Sequence, residues 1–275
     1  MTIFQILLPA FVAGLILTGI HAYLGVHVVE RGVIFVDLSL AQIAALGTTV
    51  AYLAGYDLHS STAYLFSLGF TFLGAAIFAM SRSHRRTRIP QEAIIGIVYA
   101  VSAGISILVM SKATQETEHL KDMLVGNILS VSWRELFKTG VLYSLVGFFH
   151  YLFRRRFLLI SMNQEEAARQ GINVRLWDFL FYMSFGFVVT SSVAIAGVLL
   201  VFCFLIVPSV TAMLFAERLG PRLAIGWTMG ALVSAGGVTL SFLLDLPTGA
   251  TIVGTFGAAL LIVAGYRRAF RPPMP

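Results

Sequence analysis

A few oxygen-bearing side chains stand where an apolar chain seldom places them. Asp37, Ser39 and Gln42 fall together in the otherwise apolar stretch Ile34–Gly55, and Glu92 immediately precedes another, Ala93–Met110. On a helix turning about 100° per residue, Asp37 shares a face with Ala41, and Gln42 lies further round but within reach of the same cavity. Oxygen and imidazole ligands suit a divalent cation, and ionisable groups inside a bilayer tend to face a pathway. Asp37, Ser39, Gln42 and Glu92 are therefore the candidate metal path. Asp37 has a second reading, in which it sits at the membrane boundary and pairs with Arg31 or a helix end. His21, His27 and His150 read first as satisfied or interfacial histidines and only second as ligands. Pro208 removes a backbone donor, and the carbonyl it frees one turn earlier must find Ser209, Thr211, water or a cavity. Glycine-rich phosphate loops, paired catalytic carboxylates, nucleophile elbows and zinc-protease motifs are all missing. The chain therefore reads as no enzyme, with no permanently held cofactor.

A second constellation belongs to a loop. Within Ser161–Asp178, Asn163 is a good N-cap and Glu166 completes a capping-box pattern. Glu165 and Glu166 fall at the positive helix end, and Gly171 is a natural stop. These signals specify a helix of about two turns outside the bilayer. A helix that short is marginal alone, so it must pack on its own bundle or on another protein, and Ala167 and Ala168 would let a partner approach closely. A longer stretch, Lys112–Trp133, carries Glu118, His119 and Asp122. It reads as a solvated loop with an apolar turn, or as a docking surface for an external partner. Asp245 opens the tight turn Asp245-Leu246-Pro247-Thr248-Gly249 on the same side.

Helices must carry these groups, and lipid must be their solvent. Of the 275 residues 58% are hydrophobic and only 12% charged, far from the composition of a soluble domain. One cysteine, Cys203, excludes a disulfide framework. Apolar stretches of spanning length lie near Ile3–Val28, Ile34–Gly55, Ala63–Met80, Ala93–Met110, Leu136–Phe153, Phe179–Val193, Gly197–Phe215, Leu223–Leu243 and Thr251–Tyr266. The sixth and seventh share one apolar run, split only by the small residues at 191–194. Losing that split would leave eight spans. Charge favours nine. With nine spans and the N-terminus outside, Arg31, the clusters within Arg82–Arg88 and Arg154–Arg175, Arg218 with Arg222, and the C-terminal arginines all face the cytoplasm. Only Lys112, Lys121, Arg134 and Lys138 remain outside, as the positive-inside rule requires. The expectation is an all-α, polytopic membrane bundle of about nine transmembrane helices, its N-terminus outside and its C-terminus cytoplasmic, forming one domain over 1–275. The net charge of +6 follows from this orientation, and nucleic-acid binding is excluded because the arginines are spread over short loops facing one leaflet.

The order of these segments resembles the permease subunits of bacterial ABC-type metal-ion importers, the family taking up zinc, manganese or iron. The similar stretches are Val29-Glu30-Arg31-Gly32 leading to Ala45-Leu46-Gly47, Glu92-Ala93-Ile94-Ile95-Gly96, and Leu124-Val125-Gly126-Asn127-Ile128-Leu129 with Val131-Ser132-Trp133. Asn163 through Gly171-Ile172, Gly197-Val198-Leu199-Leu200 on to Pro208-Ser209, and Asp245 to Gly249 complete the set. The resemblance implies a dimeric permease of the bacterial inner membrane, a homodimer by default, bound to two cytoplasmic ATPases and fed by an external substrate-binding protein, with a divalent metal ion as its cargo. It also implies that the short helix near 163–171 is the coupling helix that docks in an ATPase groove. One departure matters. The family's Asp and His, four residues apart in the second span, fall on Leu38 and Gln42 here, with Asp37 one position earlier. The competing readings are an ion-coupled secondary carrier using Asp37 and Glu92 as a relay, which would show inverted repeats, and a non-transporting membrane scaffold, which the intramembrane Asp37 argues against.

Overall fold

A computed structural model describes residues 3–57, 60–82, 89–110 and 128–270. Among these residues the chain is helical, with no strand. The α-helices are α1 (Ile3–Glu30), α2 (Val36–Leu53), α3 (Ser61–Ser81), α4 (Gln91–Met110), α5 (Trp133–Leu152), α6 (Arg154–Met162), α7 (Gln164–Arg169), α8 (Val174–Ala196), α9 (Val198–Met213), α10 (Leu219–Leu244) and α11 (Thr248–Phe270). Each of the nine apolar stretches has formed a helix, but not nine equal ones. Seven (α1, α2, α3, α4, α8, α10 and α11) are long and apolar enough to cross a membrane by themselves, and α5 qualifies only together with α6. That pair is bent by 76° at Phe153. The bend has no proline. Its cause is the triplet Arg154-Arg155-Arg156, which stays exposed while Phe157, Ile160 and Ser161 of α6 turn inward. The 16-residue α9 reaches about 24 Å at 1.5 Å per residue, short of a hydrocarbon core of roughly 30 Å.

The break between the sixth and seventh stretches exists, but not at 191–194. It falls at Gly197, whose φ of +75° glycine adopts at little cost. Ser191 and Ser192 remain helical and donate back to the Val188 carbonyl at 3.0 and 2.6 Å, a bond that lets serine sit inside a helix.

The chain divides into two compact units. One gathers α1, the start of α5, α9, α10 and α11. Its helices meet through small residues: α10 buries Gly226, Gly230, Ser234, Gly237, Val238 and Ser241, which lets backbones approach where lipid offers no hydrophobic drive. Its Leu232 and Leu243 are 68% and 70% exposed, as a lipid-facing side requires. The tightest approach is at Gly25 of α1, where a Cβ would lie 2.0 Å from the Leu205 carbonyl oxygen of α9. Of the groups named for the carbonyl freed by Pro208, neither the Ser209 nor the Thr211 hydroxyl is bonded to it. The Ser209 hydroxyl instead reaches Leu205 O at 2.8 Å and Ala22 O of α1 at 3.2 Å, while Thr211 Oγ1 is buried without a partner.

The other unit holds α2, α3, α4, the end of α5, α6, α7 and α8 as far as Val193. Gly47 of α2 approaches Phe66 of α3 closely enough that a Cβ would lie 2.7 Å from its carbonyl oxygen. Here α6 is fastened by aromatic packing: His150 stacks on Phe157 with centroids 4.3 Å apart, and Trp177 meets Phe157 edge-on at 5.3 Å.

Candidate metal path and coupling segment

The head of α2 is built by a residue of α4. Phe35, the N-cap of α2, offers no side-chain cap, and its N–H donates instead to Glu92 Oε1 at 2.9 Å. A carboxylate is favourable there because the first turn of a helix presents unpaired N–H groups and the positive end of the dipole. Asp37 stands in that turn, 2% exposed, with Oδ1 accepting the Leu38 N–H at 2.7 Å. Glu92 is near enough to act electrostatically on Asp37. Ser39 is fully buried; its Oγ and Glu92 Oε2 have no partner. Gln42 is half-buried one turn further along. The helix-end reading of Asp37 thus holds, and its pairing with Arg31 does not.

Asp37 and Glu92 are neighbouring carboxylates, and Ser39, two residues beyond Asp37, adds a buried hydroxyl oxygen to this set. Among the described residues no three His, Cys, Asp or Glu side chains gather where one ion could be held. The histidines are engaged elsewhere: His21 Nδ1 with Leu17 O at 2.8 Å, His27 against Tyr23 at 4.8 Å, and His150 Nε2 with Ser184 Oγ at 2.8 Å.

The second constellation forms α7, six residues long. Asn163 Oδ1 accepts the Glu166 N–H at 3.0 Å. The reciprocal half of a capping box is absent, because the Asn163 N–H already donates to Leu159 O at the end of α6. Glu166 turns instead to Gln170, whose Nε2 donates to Oε1 at 2.8 Å. At the other end Gly171, with φ +76°, donates to Ala168 O, and Ile172 donates to Ala167 O, the pair of bonds of a Schellman stop. Glu165 and Ala168 face outward. Ala167 does not: it is fully buried inside its own chain, which leaves Ala168 alone as the small residue open to a partner.

One group escaped the sequence reading. Asp178, at the start of the second turn of α8 and fully buried, receives Arg31 Nη1 and Arg82 Nη1 on the same oxygen, Oδ1, each at 2.7 Å. Arg31 also donates through Nε to Ser161 Oγ at 2.9 Å and lies over the Phe181 ring at 3.8 Å. Arg82 donates to Gln164 Oε1 at 3.0 Å and to Ile160 O at 3.3 Å. Burial pushes the Arg31 guanidinium below its ordinary pKa, and the Asp178 carboxylate opposes that shift. Both arginines had looked like ordinary inward-facing loop charges.

Of the residues suited to external docking, Glu118, His119 and Asp122 lie outside the described residues. Asp245 is exposed and caps α10 in the left-handed region, with φ 52°.

A family model described as the ABC 3 transport family matches residues 3–267. The chain belongs to the ABC 3 transport family. Its relatives in the family include a probable iron transport system membrane protein of Haemophilus influenzae, 27% identical over 265 residues, covering 96% of this chain and 95% of the relative. The manganese transport system membrane protein MntC of Listeria innocua is 25% identical over 240 residues, covering 85% and 81%. The structure of PsaBC from Streptococcus pneumoniae in complex with Fab shares the fold, with a TM-score of 0.76 at 23% identity, covering 95% of this chain and 91% of that one. Family membership makes the protein a multi-pass membrane permease of a metal-type ABC transporter.

Proposed function

We propose that this permease imports a divalent transition-metal ion, driven by a separate ATPase. The observation that carries the reading is α7, an outward-facing six-residue helix locked at both ends on a chain matched along almost its whole length by a permease family. A helix too short to be stable alone, yet capped so fully, suits a rigid contact for a partner. In this reading α7 is the coupling helix. Nine crossings put the N-terminus outside, two copies of the permease form the path, and an external binding protein docks over Glu118, His119, Asp122 and Asp245. Asp37, Ser39 and Glu92 line the path and Gln42 adjoins it. Without imidazole at position 42 the oxygen set favours manganese or iron over zinc, in keeping with relatives named for iron and manganese transport.

The test is reconstitution with the cognate ATPase and external binding protein. Vesicles with ATP trapped inside should accumulate radiolabelled Mn²⁺ or Fe²⁺ from outside, and vesicles without ATP should not. Uptake driven by an ion gradient with no nucleotide would establish the secondary-carrier reading instead.

A further inference from the structure

Arg31 and Arg82 converge on one carboxylate oxygen of Asp178, with Ser161 holding the first and Gln164 the second, and the elements they come from suggest a use. Gln164 opens α7. Arg82 closes α3. Asp178 stands in the second turn of α8, and Arg31 begins the linker into α2. That linker has little slack: Val33 is fully buried, and the Val36 N–H returns to the Val33 carbonyl at 3.1 Å. A shift of α7 therefore pulls Arg82 through Gln164 and Ile160 O. Through the shared oxygen it then pulls Arg31 and the head of α2, where Asp37 lies. We infer that Asp178 is the joint through which displacement of α7 reaches the metal-lining end of α2, with Arg82 and Arg31 as its two arms.

Two buried atoms without partners support a joint over a plain structural knot. Asp178 Oδ2 and Arg31 Nη2 have no partner within hydrogen-bond criteria while Oδ1 carries two guanidiniums, and the Tyr182 phenol is the other group acting on Arg31. Buried polar atoms are nearly always satisfied, and a carboxylate facing an arginine prefers two parallel bonds. A second arrangement is thus available in which Arg82 leaves with α7 and Arg31 closes on Asp178 through both oxygens. Two discrete arrangements of one network are what transmission between distant sites requires. Asp178 and Arg82 act through other groups and are positioning residues for transport.

The inference rests on α7 being the coupling helix, and the experiment separates the two. The permease with its ATPase and binding protein is reconstituted, and radiolabelled Mn²⁺ and Fe²⁺ uptake and ATP hydrolysis are measured in the same vesicles. Arg82→Gln leaves Asp178 paired with Arg31, so the complex should still co-purify with the ATPase. The metal moved per ATP should fall about tenfold, within the range of typical coupling between sites. Arg82→Lys, which keeps the charge but loses the grip on Gln164 and Ile160 O, should fall similarly and covers the case in which Arg82→Gln does not fold. The double variant Asp178→Asn with Arg82→Gln keeps the net charge of the network. It should recover thermal stability relative to Asp178→Asn without recovering the metal-to-ATP ratio. A wild-type ratio in Arg82→Gln or Arg82→Lys overturns the inference, and so does a double variant in which ratio and stability recover together. Ala168→Trp should abolish ATPase co-purification; if it does not, the reading of α7 itself fails, whatever Arg82→Gln shows.

Discussion

Glu92 closes the N-terminus of a helix to which it does not belong, its Oε1 accepting the Phe35 N–H of α2 at 2.9 Å. Placed there, one carboxylate has two tasks. It completes the head of α2, and it adds negative charge beside Asp37. A substitution can separate these tasks, since an amide oxygen still caps but carries no charge.

Metal uptake should therefore respond differently at the three polar positions. Asp37→Asn should lower uptake of Mn²⁺ at least tenfold, the equivalent of losing about 1.4 kcal/mol of favourable interaction with the cation, with assembly retained. Glu92→Gln should have a milder effect, because Oε1 still accepts from Phe35. Gln42→His should shift preference toward Zn²⁺ by supplying imidazole. Competition uptake in reconstituted vesicles measures all three, and wild-type rates and preferences throughout would remove these residues from the path.

Helix α7 should be sensitive at its ends. Asn163→Ala removes the acceptor for the Glu166 N–H, at a cost of about 1 kcal/mol. Gly171→Ala puts a Cβ on a residue at φ +76°, at a cost on the order of 1 kcal/mol. A six-residue helix has little to spare. Amide hydrogen exchange over 164–170 should quicken several-fold in each variant, while exchange in α10 stays at the wild-type rate.

Within α1, two glycines should behave oppositely. Gly25→Val places atoms where a Cβ already lies 2.0 Å from Leu205 O, whereas a Cβ at Gly19 meets nothing within 4 Å. Gly25→Val should destabilise by about 3 kcal/mol or more, because backbone cannot move aside as a side chain does. Gly19→Ala should be neutral or stabilising, by up to roughly 1 kcal/mol from helix propensity. Thermal unfolding in detergent, followed by retention of the monodisperse peak, distinguishes them.

Orientation is testable at exposed sites. In a Cys203→Ser background, Asp245→Cys should react with an impermeant thiol reagent in intact cells, and Arg155→Cys only after permeabilisation. The opposite pattern would reverse the membrane orientation and the direction of transport drawn from it.

Local signals were legible in the sequence and distant ones were not. Apolar stretches, the Asn163 cap and the Gly171 stop act within a few residues, so the sequence carries them directly. The gathering at Asp178 joins residues 147 and 96 positions away, and nothing local separates Arg31 or Arg82 from a solvated loop arginine. Glu92 was recognised as polar in an apolar setting, but its role depends on α4 lying against α2, which periodicity does not reveal. The bend at Phe153 was hidden because no proline or glycine marks it. It falls where three arginines stay exposed while Phe157 and Ile160 turn to the interior. The helix break was placed at small serines, and those serines proved to be helical because each hydroxyl satisfies a carbonyl of its own turn.

Because Asp178 serves two arginines through one oxygen, positions 31, 82 and 178 form a single heritable character. Losing the carboxylate alone strands two buried cations at a cost of about 3–5 kcal/mol. Losing one arginine leaves the remaining pair free to close. For folding alone, the less costly mutational route out of this arrangement therefore begins at Arg82, at the expense of coupling, passes through a paired Arg31–Asp178 intermediate, and reaches Asp178 only afterwards, so lineages lacking Asp178 should already lack Arg82.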